Sequence, residues 1–332
     1  MQNDYFSLFL LVMKGLCNLL LTVVFLVADS LSLYAERDPL PVKYQMSNPN
    51  VSCLARSGDG NLWIGTRLGL YRYNGTAYRE CEALSGKTVY SLYAEGDNLL
   101  WVGSSAGILL LEDGKVLREY PVSMPRIQQI ESLDGEQMIL SNSGGLFSLE
   151  KETGMVYPIY RDPTLLYNSF HITRDKTFWI RDLSNGRMTV LDRSGQRLKE
   201  FTVPGTNGFS EGRESDMYVF TVRGLFRFDK EGNPLPLDSV MEKLTAGKNV
   251  LLLQCDGPSL YVGIQDEGFW LLENGTISRL WEQETLKDVS MVLSLLTPDD
   301  LWISKGMRGI GNLPARPDTS RCRLPFRVPR IS

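Results

Sequence analysis

The stretch Asn61-Leu62-Trp63-Ile64-Gly65-Thr66-Arg67-Leu68-Gly69-Leu70-Tyr71-Arg72-Tyr73-Asn74-Gly75 constrains this chain most, because weaker copies of it return six times. Each copy is a strand around an aromatic or large apolar anchor, a turn closed by glycine, and a second strand. The anchors are Trp63, Trp101, Met138, Trp179, Tyr218, Tyr261 and Trp302, separated by 38, 37, 41, 39, 43 and 41 residues. A period near 40 carried by short strands points to a propeller or solenoid. Length alone, 332 residues, would suggest two domains, but an array of repeats overrides that expectation.

In the first unit Val51 to Ala55 reads as an inner strand and Asp59-Gly60 as the tight turn, since Asp-Gly accepts positive φ at little cost. Leu62 to Thr66, Leu70 to Tyr73 and Ala77 to Glu80 follow as second, third and outer strands. Gly69 closes the turn between the second and third, and Gly107, Gly145, Gly186, Gly224, Gly268 and Gly309 hold the equivalent place. Four antiparallel strands per unit at this period make a propeller blade. The expectation is an all-β, seven-bladed propeller over residues 36–313, each blade four-stranded. The last unit supplies only three strands before Pro314, so Pro41 to Met46 is expected to complete it and close the ring. The arginine- and proline-rich residues 314–332 are expected to be a poorly ordered tail.

Leu16 to Ala28 is an apolar run preceded by Met13-Lys14 and followed by Leu33-Tyr34-Ala35. It reads as a signal peptide over residues 1–35, with Met13 as an alternative start and an uncleaved membrane anchor as the alternative fate. Either places the repeats in the periplasm. Lys and Arg (35) nearly balance Asp and Glu (39), which argues against a nucleic-acid partner. The cysteines of the repeats, Cys53, Cys81 and Cys255, lie on separated strands and read as free thiols.

Leu62-Trp63-Ile64-Gly65-Thr66 followed by Gly69-Leu70-Tyr71-Arg72-Tyr73-Asn74-Gly75 resembles the two-component regulator propeller repeat. Leu100-Trp101-Val102-Gly103 with Gly107, Leu260-Tyr261-Val262-Gly263 with Gly268, and Leu301-Trp302-Ile303 with Gly309 match more loosely. The resemblance implies the periplasmic sensor part of a hybrid two-component system of Bacteroidetes, many of which sense oligosaccharides. In such systems a second propeller, a membrane helix and a histidine kinase follow, and dimerisation is a further possibility. This chain stops after one propeller, so the resemblance implies a truncated product, a fragment or a stand-alone descendant.

No catalytic constellation is present: no His-Glu-x-x-His, Cys-x-x-Cys, phosphate-binding glycine loop or Gly-x-Ser-x-Gly. No enzyme activity, metal or cofactor is therefore expected. His171, the chain's one histidine, falls on an inner strand as a structural or channel-facing residue. Function on a rigid scaffold usually sits in its loops. The turns between second and third strands present Arg67, Asn142, Asp182, Asn185, Arg223, Gln265, Asp266, Lys305 and Arg308, which are the candidate ligand-binding residues. The expected function is a ligand-sensing module for an oligosaccharide. A protein-interaction scaffold and a carbohydrate-active propeller enzyme are the alternatives.

Overall fold

Strand pairing follows the repeat unit by unit. The computed structural model describes residues 50–121, 124, 126–256, 259–281, 293–296, 300–304 and 310–314. Blade 1 is β1 (Val51–Arg56), β2 (Leu62–Thr66), β3 (Gly69–Tyr73) and β4 (Tyr78–Glu80). Blade 2 is β5 (Val89–Glu95), β6 (Leu99–Ser104), β7 (Gly107–Glu112) and β8 (Lys115–Tyr120). Blade 3 is β9 (Gln129–Ser132), β10 (Gln137–Asn142), β11 (Gly145–Glu150) and β12 (Val156–Arg161). Blade 4 is β13 (Asn168–Ile172), β14 (Phe178–Asp182), β15 (Arg187–Leu191) and β16 (Arg197–Thr202). Blade 5 is β17 (Thr206–Glu211), β18 (Met217–Thr221), β19 (Gly224–Phe228) and β20 (Pro234–Leu235). Blade 6 is β21 (Val250–Asp256), β22 (Ser259–Ile264), β23 (Gly268–Glu273) and β24 (Thr276–Trp281). Each blade is an antiparallel sheet in chain order.

The expectation of seven four-stranded blades is corrected here: among the described residues there are six. After them comes one three-stranded sheet, β25 (Leu293–Leu296), β26 (Asp300–Ser304) and β27 (Ile310–Pro314). The chain leaves β27 at Pro314, with Pro317 three residues on. Pro314, the last residue of β27, has no N–H to give a ladder. The strand expected from residues 41–46, the signal segment and the tail lie outside the described residues.

The anchors pack as the repeat demands. Trp63 sits on blade 2 with Leu100 and Val102, and Trp101 on blade 3 with Met138 and Leu140. Trp179 meets Met217 and Val219 of blade 5. Trp302 meets Val51, Leu62, Ile64 and Tyr71, so the three-stranded sheet covers the first blade. Trp101 and Trp179 are almost fully buried, at 1% and 0% exposed; aromatics of this size dominate core energetics. One anchor is corrected. Asn142 pairs with Gly145 as Thr66 pairs with Gly69. Counting back three residues puts Ile139, not Met138, in the place of Trp63; Met138 faces the preceding blade beside Trp101.

The turn after the second strand takes its glycine at positive φ, and in blade 3 space also demands it. At Gly145, with φ of 150°, an added Cβ would lie 1.9 Å from the Tyr160 carbonyl oxygen. The sequence did not signal one element, helix α1 (Ser239–Thr245), between blades 5 and 6. Asp238 caps it by accepting from the Val240 and Met241 amides. Met241 and Leu244 bury its inner face against Val250 and Val262.

Candidate functional site

Inner strands of neighbouring blades run in the same direction. Gln129 donates to the Phe170 carbonyl at 2.7 Å and accepts from the Phe170 amide at 3.0 Å. Two residues on, Glu131 accepts from the Ile172 amide at 3.1 Å. The inner edge of a blade has no strand beyond it, so its backbone groups need other partners. Side chains of the preceding blade supply them: Ser52 donates to the Val89 carbonyl and Ser91 to that of Ile127.

At the end of the strands that carries the β9–β10 and β13–β14 turns, a cavity of ≈ 530 Å³ opens among β5, β9 and β13. Tyr93, Gln129, Glu131, Ser132, His171, Thr173, Arg174 and Lys176 give it a polar lining, and Leu92, Ile130 and Ile172 an apolar one. Lys176 donates to the Leu133 carbonyl and Arg174 to the Gly212 and Arg213 carbonyls. Both cations therefore clip adjacent blades together while facing the cavity.

His171 is the centre of this arrangement. Its Nε2 lies 3.1 Å from Glu211 Oε2, and its Nδ1 lies 3.9 Å from Glu131 Oε2. Burial works against the imidazolium, but the Glu211 hydrogen bond and the two carboxylate charges outweigh it, so the pKa of His171 is raised. Burial raises that of Glu131 against the pull of His171. For Glu211 burial is the largest effect and acts upward. The His171 hydrogen bond, the Arg174 amide and the two nearby cations together outweigh it, and its pKa is lowered. The three residues are 40 positions apart, one repeat each. That spacing was the available sequence signal: titratable groups one period apart on successive inner strands become neighbours. No single unit reveals it.

The seven described candidates from the turns lie at the other end of the strands, because the first-to-second and second-to-third turns of an antiparallel sheet reverse at opposite ends. Arg67 and Arg223 are exposed, and their carbonyls accept from Thr88 Oγ1 and the Gly247 amide. Asn142 and Asp182 are buried, at 5% and 1% exposed. Asp182 accepts from Ser184 and from the Asn185 side chain, so both residues shape their own turn. Gln265 accepts from Asn249, and Asp266 sits exposed at φ 59° in its turn. Lys305, Arg308 and Gly309 lie outside the described residues. The turns thus share one end of the fold but do not converge on the cavity. Among the described residues no group of three His, Cys, Asp or Glu side chains is placed to hold a metal ion. No described helix is long and apolar enough to cross a membrane.

The fold recurs in solved structures. One is the extracellular domain assigned to a hybrid two-component system of B. thetaiotaomicron: TM-score 0.64, 15% identity, covering 83% of this chain and 42% of that one. A second B. thetaiotaomicron extracellular domain, assigned to a one-component system, gives 0.59 at 17% identity, covering 80% and 38%. An inactive variant of virginiamycin B lyase from Staphylococcus aureus, with quinupristin, gives 0.60 at 15% identity, covering 82% and 97%. At these identities the likeness is one of fold. The chain spans less than half the length of the two B. thetaiotaomicron domains. No curated protein matches it in sequence. The two component regulator propeller model matches residues 45–67, which take in β1 and β2 with Trp63 and Gly65. Over that repeat the chain is similar to the two-component regulator propeller family.

Proposed function

We propose that this propeller is an exported ligand-sensing module that binds an oligosaccharide in the cavity between β5, β9 and β13 and does not transform it. The cavity carries this reading: at ≈ 530 Å³ it is within the size range of small-molecule sites. It offers hydroxyl, amide, carboxylate and cationic groups around Tyr93. Sugar recognition needs that mixture, with polar groups for the hydroxyls and an aromatic or apolar face for the ring.

His171 favours binding over chemistry. A general base needs a free nitrogen within reach of a nucleophile. Here Nε2 is held by Glu211 and Nδ1 faces Glu131. The extracellular placement of the similar B. thetaiotaomicron domains supports export, as does the apolar segment before the repeats.

The test is thermal unfolding of the full chain against a panel of plant and host oligosaccharides. A ligand bound only by the folded state raises the midpoint by mass action. The reading expects one class of glycan to do so saturably, and Tyr93→Leu to remove the effect. If no glycan shifts the midpoint, the proposal fails.

A protein-interaction scaffold is the second reading. Outer-strand side chains on three successive blades favour it: Leu117, Tyr157 and Leu198 are 55%, 47% and 47% exposed. It expects a co-purifying protein partner, released by charged substitutions at these positions, and no response to glycans.

A further inference from the structure

Two residues past each anchor, the repeat has glycine in blades 1 and 2, at Gly65 and Gly103. The position faces the first residues of the next inner strand. An added Cβ on Gly65 would lie 2.7 Å from Val89 Cγ1, and one on Gly103 would lie 3.0 Å from Ile127. Blade 6 keeps Gly263, while blades 3, 4 and 5 carry Ser141, Arg181 and Phe220; Arg181 brings a cation to this position.

Arg181 is 8% exposed. Its hydrogen bond from Nη1 to the Thr206 carbonyl is long, at 3.4 Å, and Nε has no partner among the described residues. No carboxylate pairs with it among the described residues. Burial alone lowers its pKa to about 10, so it remains a cation at neutral pH. An unpaired buried charge forfeits its solvation and is rarely retained without a partner. Thr206, whose carbonyl Arg181 reaches, leads into Asn207, the first of a chain of hydrogen-bonded neutral amides. Asn207 donates to Asn249 Oδ1 and to the Val250 carbonyl, both at 2.7 Å, and Asn249 donates to Gln265. Asn207 lies at the start of β17, Asn249 just before β21 and Gln265 just after β22, at the end of the strands away from the cavity.

We propose that Arg181 anchors a second binding site, at the second-to-third-turn end of blades 4 to 6, for a monovalent carboxylate. One guanidinium among neutral amides balances one negative charge. A phosphate dianion would leave a charge uncompensated at a buried position. The guanidinium fork suits a planar carboxylate, and amides suit the hydroxyls beside it. A uronic acid unit of a glycan and a small organic acid share that chemistry. The site goes beyond the proposed sensing cavity and does not depend on it.

The experiment measures thermal unfolding of the full chain at fixed ionic strength, with galacturonate, galactose or acetate up to about 100 mM. Galacturonate should raise the midpoint saturably and galactose should not. Acetate matching galacturonate would support the carboxylate site and identify a small acid as sufficient; acetate failing would identify the sugar acid. Arg181→Met should abolish the shift, while Tyr93→Leu should leave it intact. If the galacturonate shift survives Arg181→Met, is matched by galactose, is lost with Tyr93→Leu, or is absent in the wild type, the inference is overturned. Those results leave the cavity proposal standing or falling on its own panel. Should Arg181→Met not fold, Arg181→Lys decides. Loss of the fork removes a charge-assisted hydrogen bond, so affinity should drop about tenfold or more; unchanged affinity overturns the site.

Discussion

His171 Nε2 and Glu211 Oε2 lie 3.1 Å apart across the boundary between blades 4 and 5, and join two inner strands at the cavity wall. A raised imidazole pKa and a lowered carboxylate pKa are the two sides of that bond. His171 is the chain's one histidine, so its ring protons give a single titration curve. The expected midpoint lies above the ordinary value of about 6.5. Glu211→Gln should lower it, and an unchanged midpoint would show that the two groups are not bonded.

Stability should follow the same bond. A histidine with a raised folded pKa contributes stability that is complete below its unfolded value and fades as pH rises through the folded value. Glu211, with a lowered folded pKa, contributes above its unfolded value of about 4.5 and loses that contribution as pH falls. Denaturant midpoints for the wild type should therefore decline on the alkaline side of about pH 6.5 relative to His171→Gln. Parallel pH curves for the two proteins would remove the bridge from the account.

Gly65 has ordinary backbone angles, so its requirement is purely steric. An added methyl would meet Cys53 Sγ at 2.4 Å and Val89 Cγ1 at 2.7 Å. Gly65→Ala is expected to cost about 1–3 kcal/mol by overpacking. Trimming the neighbour in Gly65→Ala/Val89→Ala should recover part of it, visible as a negative coupling in urea unfolding. Strict additivity would place the cost elsewhere.

Trp179 donates from Nε1 to the Lys230 carbonyl at 3.1 Å and is fully buried. Trp179→Phe loses that bond and some volume, and should cost about 1–3 kcal/mol. Trp179→Ala opens a cavity between blades 4 and 5 and should cost about 3–5 kcal/mol. Chemical denaturation monitored by circular dichroism distinguishes the two; equal, small losses would mean the anchor is not packed as described.

The thiols of Cys53 and Cys255 are pushed up to about 12 by burial, and that of Cys81 is raised for the same reason. The thiolate is the reactive form. In a variant with Cys17 and Cys322 replaced by serine, a thiol reagent at pH 8 should label none of the three until the protein unfolds. Rapid labelling of the native protein would contradict their burial.

The architecture was legible where one unit states it alone. Trp63, Trp101, Trp179, Tyr218 and Tyr261 recur because every blade must fill the same gap against its neighbour, and the turn glycines recur because the turn takes positive φ. Blade 3 blurred the reading, since Met138 and Ile139 are both large, apolar and buried; only the Asn142–Gly145 pairing shows which one faces blade 4. The expected seventh blade drew its fourth strand from residues 41–46, outside the described residues, and the last sheet has three described strands, β25 to β27. Helix α1 escaped notice because one capped turn in a connector leaves no periodic trace. The site was less legible than the fold. Turn residues look functional because they are polar, yet Asp182 and Asn185 spend their groups on their own turn. Glu131, His171 and Glu211 look ordinary one at a time and become a unit only when successive repeats are laid side by side.

The central claim is that the cavity beside His171 receives the ligand. The direct measurement is the NMR signal of the His171 ring while a stabilising oligosaccharide is titrated in. The account predicts that the signal moves with the same saturation curve as the thermal stabilisation, and that Tyr93→Leu suppresses both. A glycan that stabilises the protein while the His171 signal stays fixed would contradict it.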